Sequence, residues 1–171
     1  MTAIITAKAR VELFHDLVRE GEERAQQQLD ETLESYLVFT LMEHMRDAGV
    51  GDQPMAIELL DGLDHVGALR EQTLRNVGDR CLLIAGFYPG LARKRMVTPN
   101  YYASLGRHAY GELASGLRAS LADLYRSLST AFDALVRVLA ECRELPVAGR
   151  VPVLEFQGVA MPRFARNARC H

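Results

Sequence analysis

Tryptophan is absent from the 171 residues, and only three are cysteine. Cys81, Cys142 and Cys170 show no CxxC spacing. That excludes a disulfide scaffold and predicts reduced thiols in a cytoplasmic setting. Long hydrophobic runs are also missing. The longest is Cys81-Leu-Leu-Ile-Ala-Gly-Phe-Tyr88, against the roughly 20 residues a spanning helix needs, so the chain reads as soluble with no membrane partner. Met1 to Glu20 has no arginine-rich stretch ahead of an apolar one, and Glu12 and Asp16 fall where a signal peptide is uncharged. There is no P-loop, GxGxxG, GxSxG or Cys/His metal spacing. A net charge of −2 and a pI near 6.2 exclude a polycation built for nucleic acid.

What is present is ordinary for a globular chain: 49% hydrophobic and 25% charged residues, enough for one domain with a sizeable core. The charge is unevenly spread. Residues 1–48 carry ten acidic and five basic groups, 49–145 carry eleven of each, and 146–171 carry one acidic and four basic. Apart from Lys8 and Lys94, every cation is arginine. Arginine is the better bidentate partner for a carboxylate or phosphate, although a GC-rich bacterial genome produces the same bias.

Helical periodicity runs through most of the chain, and no strand signal stands out. Val11, Phe14, Leu17 and Val18 predict an amphipathic helix over 7–27. Residues 29–47 are apolar nearly all round, with Leu33, Leu37 and Leu41 on one side and Val38, Phe39 and Met42 on the other. Such a helix belongs in the middle of a bundle. A short helix is expected near 54–65, opened by Pro54, and a longer one over 67–88, striped by Leu74, Val77, Cys81, Ile84 and Tyr88. A basic turn, 92–98, leads to a further helix start at Thr98-Pro99. From Leu117 to Leu145 apolar residues alternate steps of four and three, which predicts one long helix of four heptads. Tyr125, Phe132 and Leu139 widen its apolar arc beyond a two-residue seam, as a helix facing both its own core and a second copy would need. Pro146, Pro152 and Pro162 leave 146–171 without helical period, an extended or disordered tail. The expected fold is therefore an all-α, single-domain bundle of five or six helices over 1–145. Gly78 and Gly86 are expected to meet a helix carrying Gly106 and Gly111.

Four constellations invite chemistry. Glu12-x-x-His15 is half of a di-iron carboxylate pattern, but no second Glu-x-x-His pair exists, and Glu34 or Glu112 would have to complete it. It therefore reads as a helix face, and no metal is expected. His44, one turn after Thr40, reads as a core histidine with one hydrogen bond. Glu71, Arg75 and Asp79 are spaced i, i+4, i+8, a charge ladder on one helix face. Asp79-Arg80 directly precedes the most apolar run, so burial of Asp79 would demand an arginine or a helix end as its partner. Tyr101, Tyr102, His108 and Tyr110 follow Arg93-Lys94-Arg95, basic groups beside aromatics that suit an anionic ligand or nucleic acid. Three cations are too few to expect a nucleic-acid partner.

Glu34-Ser-Tyr-Leu-Val38, Leu74 to Leu83 with Gly86-Phe-Tyr-Pro89, and Tyr102 with Gly106 and Ala109-Tyr110 resemble a family of small bacterial helical proteins of unknown function. The likeness runs to about residue 125 and implies no activity. It marks Asp79, Pro89, Tyr102 and Gly106 as motif positions. The sequence thus predicts a non-enzymatic interaction or regulatory protein that forms a homodimer, uses no cofactor and admits a protein partner. The alternative is a small-molecule-binding protein or enzyme with a pocket formed by Asp79, Tyr102, His108 and Arg75.

Overall fold

A computed structural model describes residues 7–44 and 54–145. Within them lie eight helices and no strand: α1 (Ala7–Ala25), α2 (Glu31–His44), α3 (Met55–Asp64), α4 (Gly67–Gly86), α5 (Pro89–Lys94), α6 (Pro99–Gly116), α7 (Ala119–Thr130) and α8 (Phe132–Glu144). The predicted tail, 146–171, falls outside the described residues.

The all-helical expectation holds, and the helix count is higher than five or six for two local reasons. First, the basic turn after Pro89 winds into α5. Proline suits a first helical position, and the helix runs six residues from Pro89 before the chain turns out. Second, the long C-terminal helix is two helices. Ala131 leaves helical geometry at φ −86°, ψ 6° and joins α7 to α8. The stretch Ser127 to Thr130 supplies the cause. The Thr130 hydroxyl donates to the Arg126 carbonyl at 2.9 Å, and Ser129 donates to Arg107 of α6 at 2.9 Å. Hydroxyls that bond back to the preceding turn bend helices. Leu117 lies in the link before α7, so the apolar row crosses three segments rather than running along one rod.

The position expected for α2 belongs to α4. Phe39 of α2 is 60% exposed, and the helix packs mainly on α1. Of its second apolar side only Phe39 faces outward; Val38 is buried at 2% and Met42 is half-buried against the core. By contrast, α4 is buried from Cys81 to Gly86 without interruption and packs against α3, α6 and α8. The stripe Leu74, Val77, Cys81 and Ile84 is the one its period predicted.

The antiparallel contact of α4 with α6 is the most extensive among the described helices, and missing side chains set its spacing. A Cβ on Gly78 would overlap the ring of Tyr110. A Cβ on Gly106 would overlap the ring of Phe132 and sit 3.0 Å from Cys81. The glycines therefore admit aromatic rings rather than bare backbone. Gly86 meets α8 instead of α6, and Gly111 only grazes Ser129 at 3.7 Å.

Candidate functional site

Asp79 is 2% exposed in the middle of α4. One of its oxygens, Oδ1, accepts from the Tyr36 hydroxyl of α2 at 2.6 Å and from the Tyr110 hydroxyl of α6 at 2.7 Å. The other, Oδ2, faces Arg75 Nε at 3.6 Å. The ring of Tyr110 is seated by neighbouring Gly78, so one dipeptide both makes room for the tyrosine and binds its hydroxyl. Tyr36, Tyr110 and Tyr125 pack ring to ring, with centroids 5.9–6.2 Å apart. Burial pushes the Asp79 carboxyl up to about 6, and the two tyrosine hydroxyls and Arg75 hold it from going higher. Burial, and then the charge of Asp79, push Tyr36 and Tyr110 well above the usual phenol range. Both tyrosines therefore stay protonated and donate.

Arg75 carries this buried cluster to the surface. Its Nη2 lies 3.0 Å from Glu43 Oε2 of α2, and its side chain is 45% exposed. Beside it opens a groove of about 430 Å³. One wall is polar, from Glu43 of α2 and Glu71, Gln72, Arg75 and Asn76 of α4. The other is apolar, from Leu113 and Leu117 at the end of α6 and Leu121 and Tyr125 of α7. The volume falls within the range of small-molecule sites, which combine apolar area with a few oriented polar groups.

The expected ladder has one rung. Arg75 reaches Asp79 and turns across to Glu43, while Glu71 makes no ion pair among the described residues. Asp79 and Arg75 do belong together at the candidate site, but Tyr102 and His108 do not join them. Tyr102 is buried at 2%, two turns before Tyr110 on α6. His108 is exposed, with Nε2 4.0 Å from Glu112 on its own helix. The reason is helical phase: Tyr110 is the α6 residue that faces Gly78, and His108 is turned about 200° from it.

Elsewhere the candidates divide into ties between helices. His15 Nε2 comes within 3.0 Å of Glu34 Oε1, off the hydrogen-bonding direction, and links α1 to α2, while Glu12 is exposed. Among the described residues no three His, Cys, Asp or Glu side chains gather as a metal site. Glu112 pairs with Arg70 at 3.3 Å, and Arg70 also donates to the Leu63 carbonyl at 2.9 Å, fastening the end of α3 to α4 and α6. His44 is half-buried at the end of α2. Cys81 and Cys142 are fully buried, and burial pushes both thiols up to about 12. Pro89 opens α5, and Gly106 seats Phe132. Tyr36, Tyr125 and Glu43 are the site residues that sequence reasoning missed. The sequence names Tyr110, but as an aromatic beside the basic turn rather than as a partner of Asp79.

Comparison of the chain with family models, curated proteins and solved structures returned no match.

Proposed function

We propose that the chain is a binding protein for a small amphipathic molecule, held in the groove between α4 and the α6–α7 link. The observation that carries this is the pairing of opposite walls around a preset guanidinium. Arg75 is oriented by Asp79 on one side and Glu43 on the other, and Asp79 is itself fixed by two tyrosines. A recognition group held this way loses little freedom when a ligand arrives. The apolar wall opposite takes the ligand's hydrocarbon part.

Native mass spectrometry of the purified chain, together with titration of the fluorescent amphiphile 8-anilinonaphthalene-1-sulfonate, tests the reading. A retained mass or saturable dye binding is expected, with affinity falling about tenfold in Leu121→Glu, a substitution at a half-exposed position of the apolar wall. Neither mass nor dye binding, or dye binding indifferent to Leu121→Glu, overturns it.

Self-association is a second reading, and outward apolar residues favour it. Ile57 and Leu60 lie one turn apart on α3 at 45% and 61% exposure, and Phe39 projects from α2. The later part of the heptad row lies in the chain's own core, with Leu128, Leu135, Val138 and Cys142 completely buried, while its earlier member Leu121 is 50% exposed. Sedimentation at micromolar concentration tests it. A single species near 19 kDa removes the second copy.

A further inference from the structure

The end of the molecule opposite the groove is built differently. Between Arg80 and Gly111 the sequence has no aspartate or glutamate. Arg93, Lys94 and Arg95 stand there in succession, all exposed, and none makes an ion pair or side-chain hydrogen bond among the described residues. A six-residue helix such as α5 asks for little positive charge at its end, so its dipole does not account for three cations.

The next residue is Met96. The Val97 amide donates to the Ala92 carbonyl at 3.1 Å and the Met96 amide to the Arg93 carbonyl at 3.0 Å. This double bond pattern closes a helix with a left-handed residue between the two, a position that glycine fills most often. Met96 occupies it at φ 59° and is 93% exposed. A methionine there carries the strain of the left-handed backbone and returns no packing. Folding does not explain the choice, but an apolar tip that meets something outside the chain does. Five residues further along the chain, Tyr101 is 40% exposed, resting edge-on against the buried ring of Tyr102 at 5.4 Å.

We propose that the turn 93–96 docks on an anionic lipid surface, with Met96 entering the headgroup layer, Tyr101 at the interface and Arg93, Lys94 and Arg95 on the lipid phosphates. Tyrosine at the interface and basic residues against anionic headgroups are the groups such a surface selects. Nucleic acid matches the cations but gives Met96 nothing to enter. The contact is peripheral and needs no spanning helix, and no helix among the described residues is long and apolar enough to cross a membrane. Each cation near such a surface multiplies binding about fivefold, so three give on the order of a hundredfold over a neutral surface.

The test is co-sedimentation of the full chain with vesicles of phosphatidylcholine alone or mixed with phosphatidylserine, at low and high salt. Binding is expected on the anionic vesicles only, weakening with salt. Arg93→Glu with Arg95→Glu abolishes it. Met96→Gly lowers it severalfold while raising Tm, which separates a docking role from a structural one. Equal partition into both vesicles overturns the proposal, as does anionic binding that survives the double charge reversal or ignores Met96→Gly. Tight binding of a single-stranded oligonucleotide without vesicle binding also overturns it and reassigns the turn to nucleic acid.

Discussion

Charge is handled in opposite ways in the middle of the α4–α6 pair and in the turn beyond one of its ends. At Asp79 a carboxylate is buried at 2% exposure, and two tyrosines and an arginine converge on it. At 93–95 three cations stand in water with no partner among the described residues. The first arrangement changes stability, because a buried ion without its donors is expensive. The second barely touches it, because exposed charges are already solvated. The difference teaches that the interior cluster holds the fold and presets Arg75, while the basic turn is free to serve a partner. A stability measurement separates the two.

The largest expected effect concerns pH. Asp79 has a folded pKa of about 6 against an ordinary value of 3.8, so the folded chain holds this proton more tightly than the unfolded one. The penalty for its buried charge is absent below the ordinary value and complete above about 6. Stability contributed by this group therefore falls as pH rises from about 4 to about 6, by up to about 3 kcal/mol. Asp79→Asn keeps an oxygen for both tyrosines and removes the charge. Urea melts across pH 4–7 should show the variant gaining on the natural chain by up to that amount. A difference constant with pH would show that the carboxylate is not strained by burial and would erase the contrast between the two regions.

Next comes the loss of the acceptor. Asp79→Ala strands the hydroxyls of Tyr36 and Tyr110, each costing about 1–3 kcal/mol, partly offset by the removal of a buried ion. A net loss of about 2 kcal/mol at pH 7 is expected in the denaturant midpoint, and an unchanged midpoint would remove Asp79 from the candidate site. The smallest effects belong to the basic turn. Met96→Gly should stabilise by about 1 kcal/mol through relief of the left-handed backbone, and Lys94→Ala should change stability by less than about 0.5 kcal/mol. A large loss in either would show that the turn is part of the fold.

Local regularities were legible in the sequence. A 3.6-residue period reports which face of a helix is apolar, so the buried stripe of α4, the Pro99 start and the all-helical class follow from residues within a few turns of one another. Arg75 beside Asp79 was legible for the same reason, being an i, i+4 pair. The break at Ala131 was masked because the apolar row continues across it; only the run Ser127 to Thr130 marks it, where the Thr130 hydroxyl bonds the preceding turn and Ser129 reaches across to α6.

Tertiary packing decided the rest. That Asp79 would be buried against tyrosines rather than paired with an arginine alone depends on Tyr36 and Tyr110, 43 and 31 residues away in the chain. Their rings meet there only because Gly78 leaves room on α4 and α2 passes within reach. The groove needs α2, α4, α6 and α7 at once. By itself the sequence determined where helices form and which sides are apolar, since those depend on the spacing of neighbours along the backbone. Which polar groups share a site was decided by side-chain volume and helix crossing, because hydrogen bonds form wherever packing leaves donors and acceptors within about 3 Å, whatever their separation in sequence.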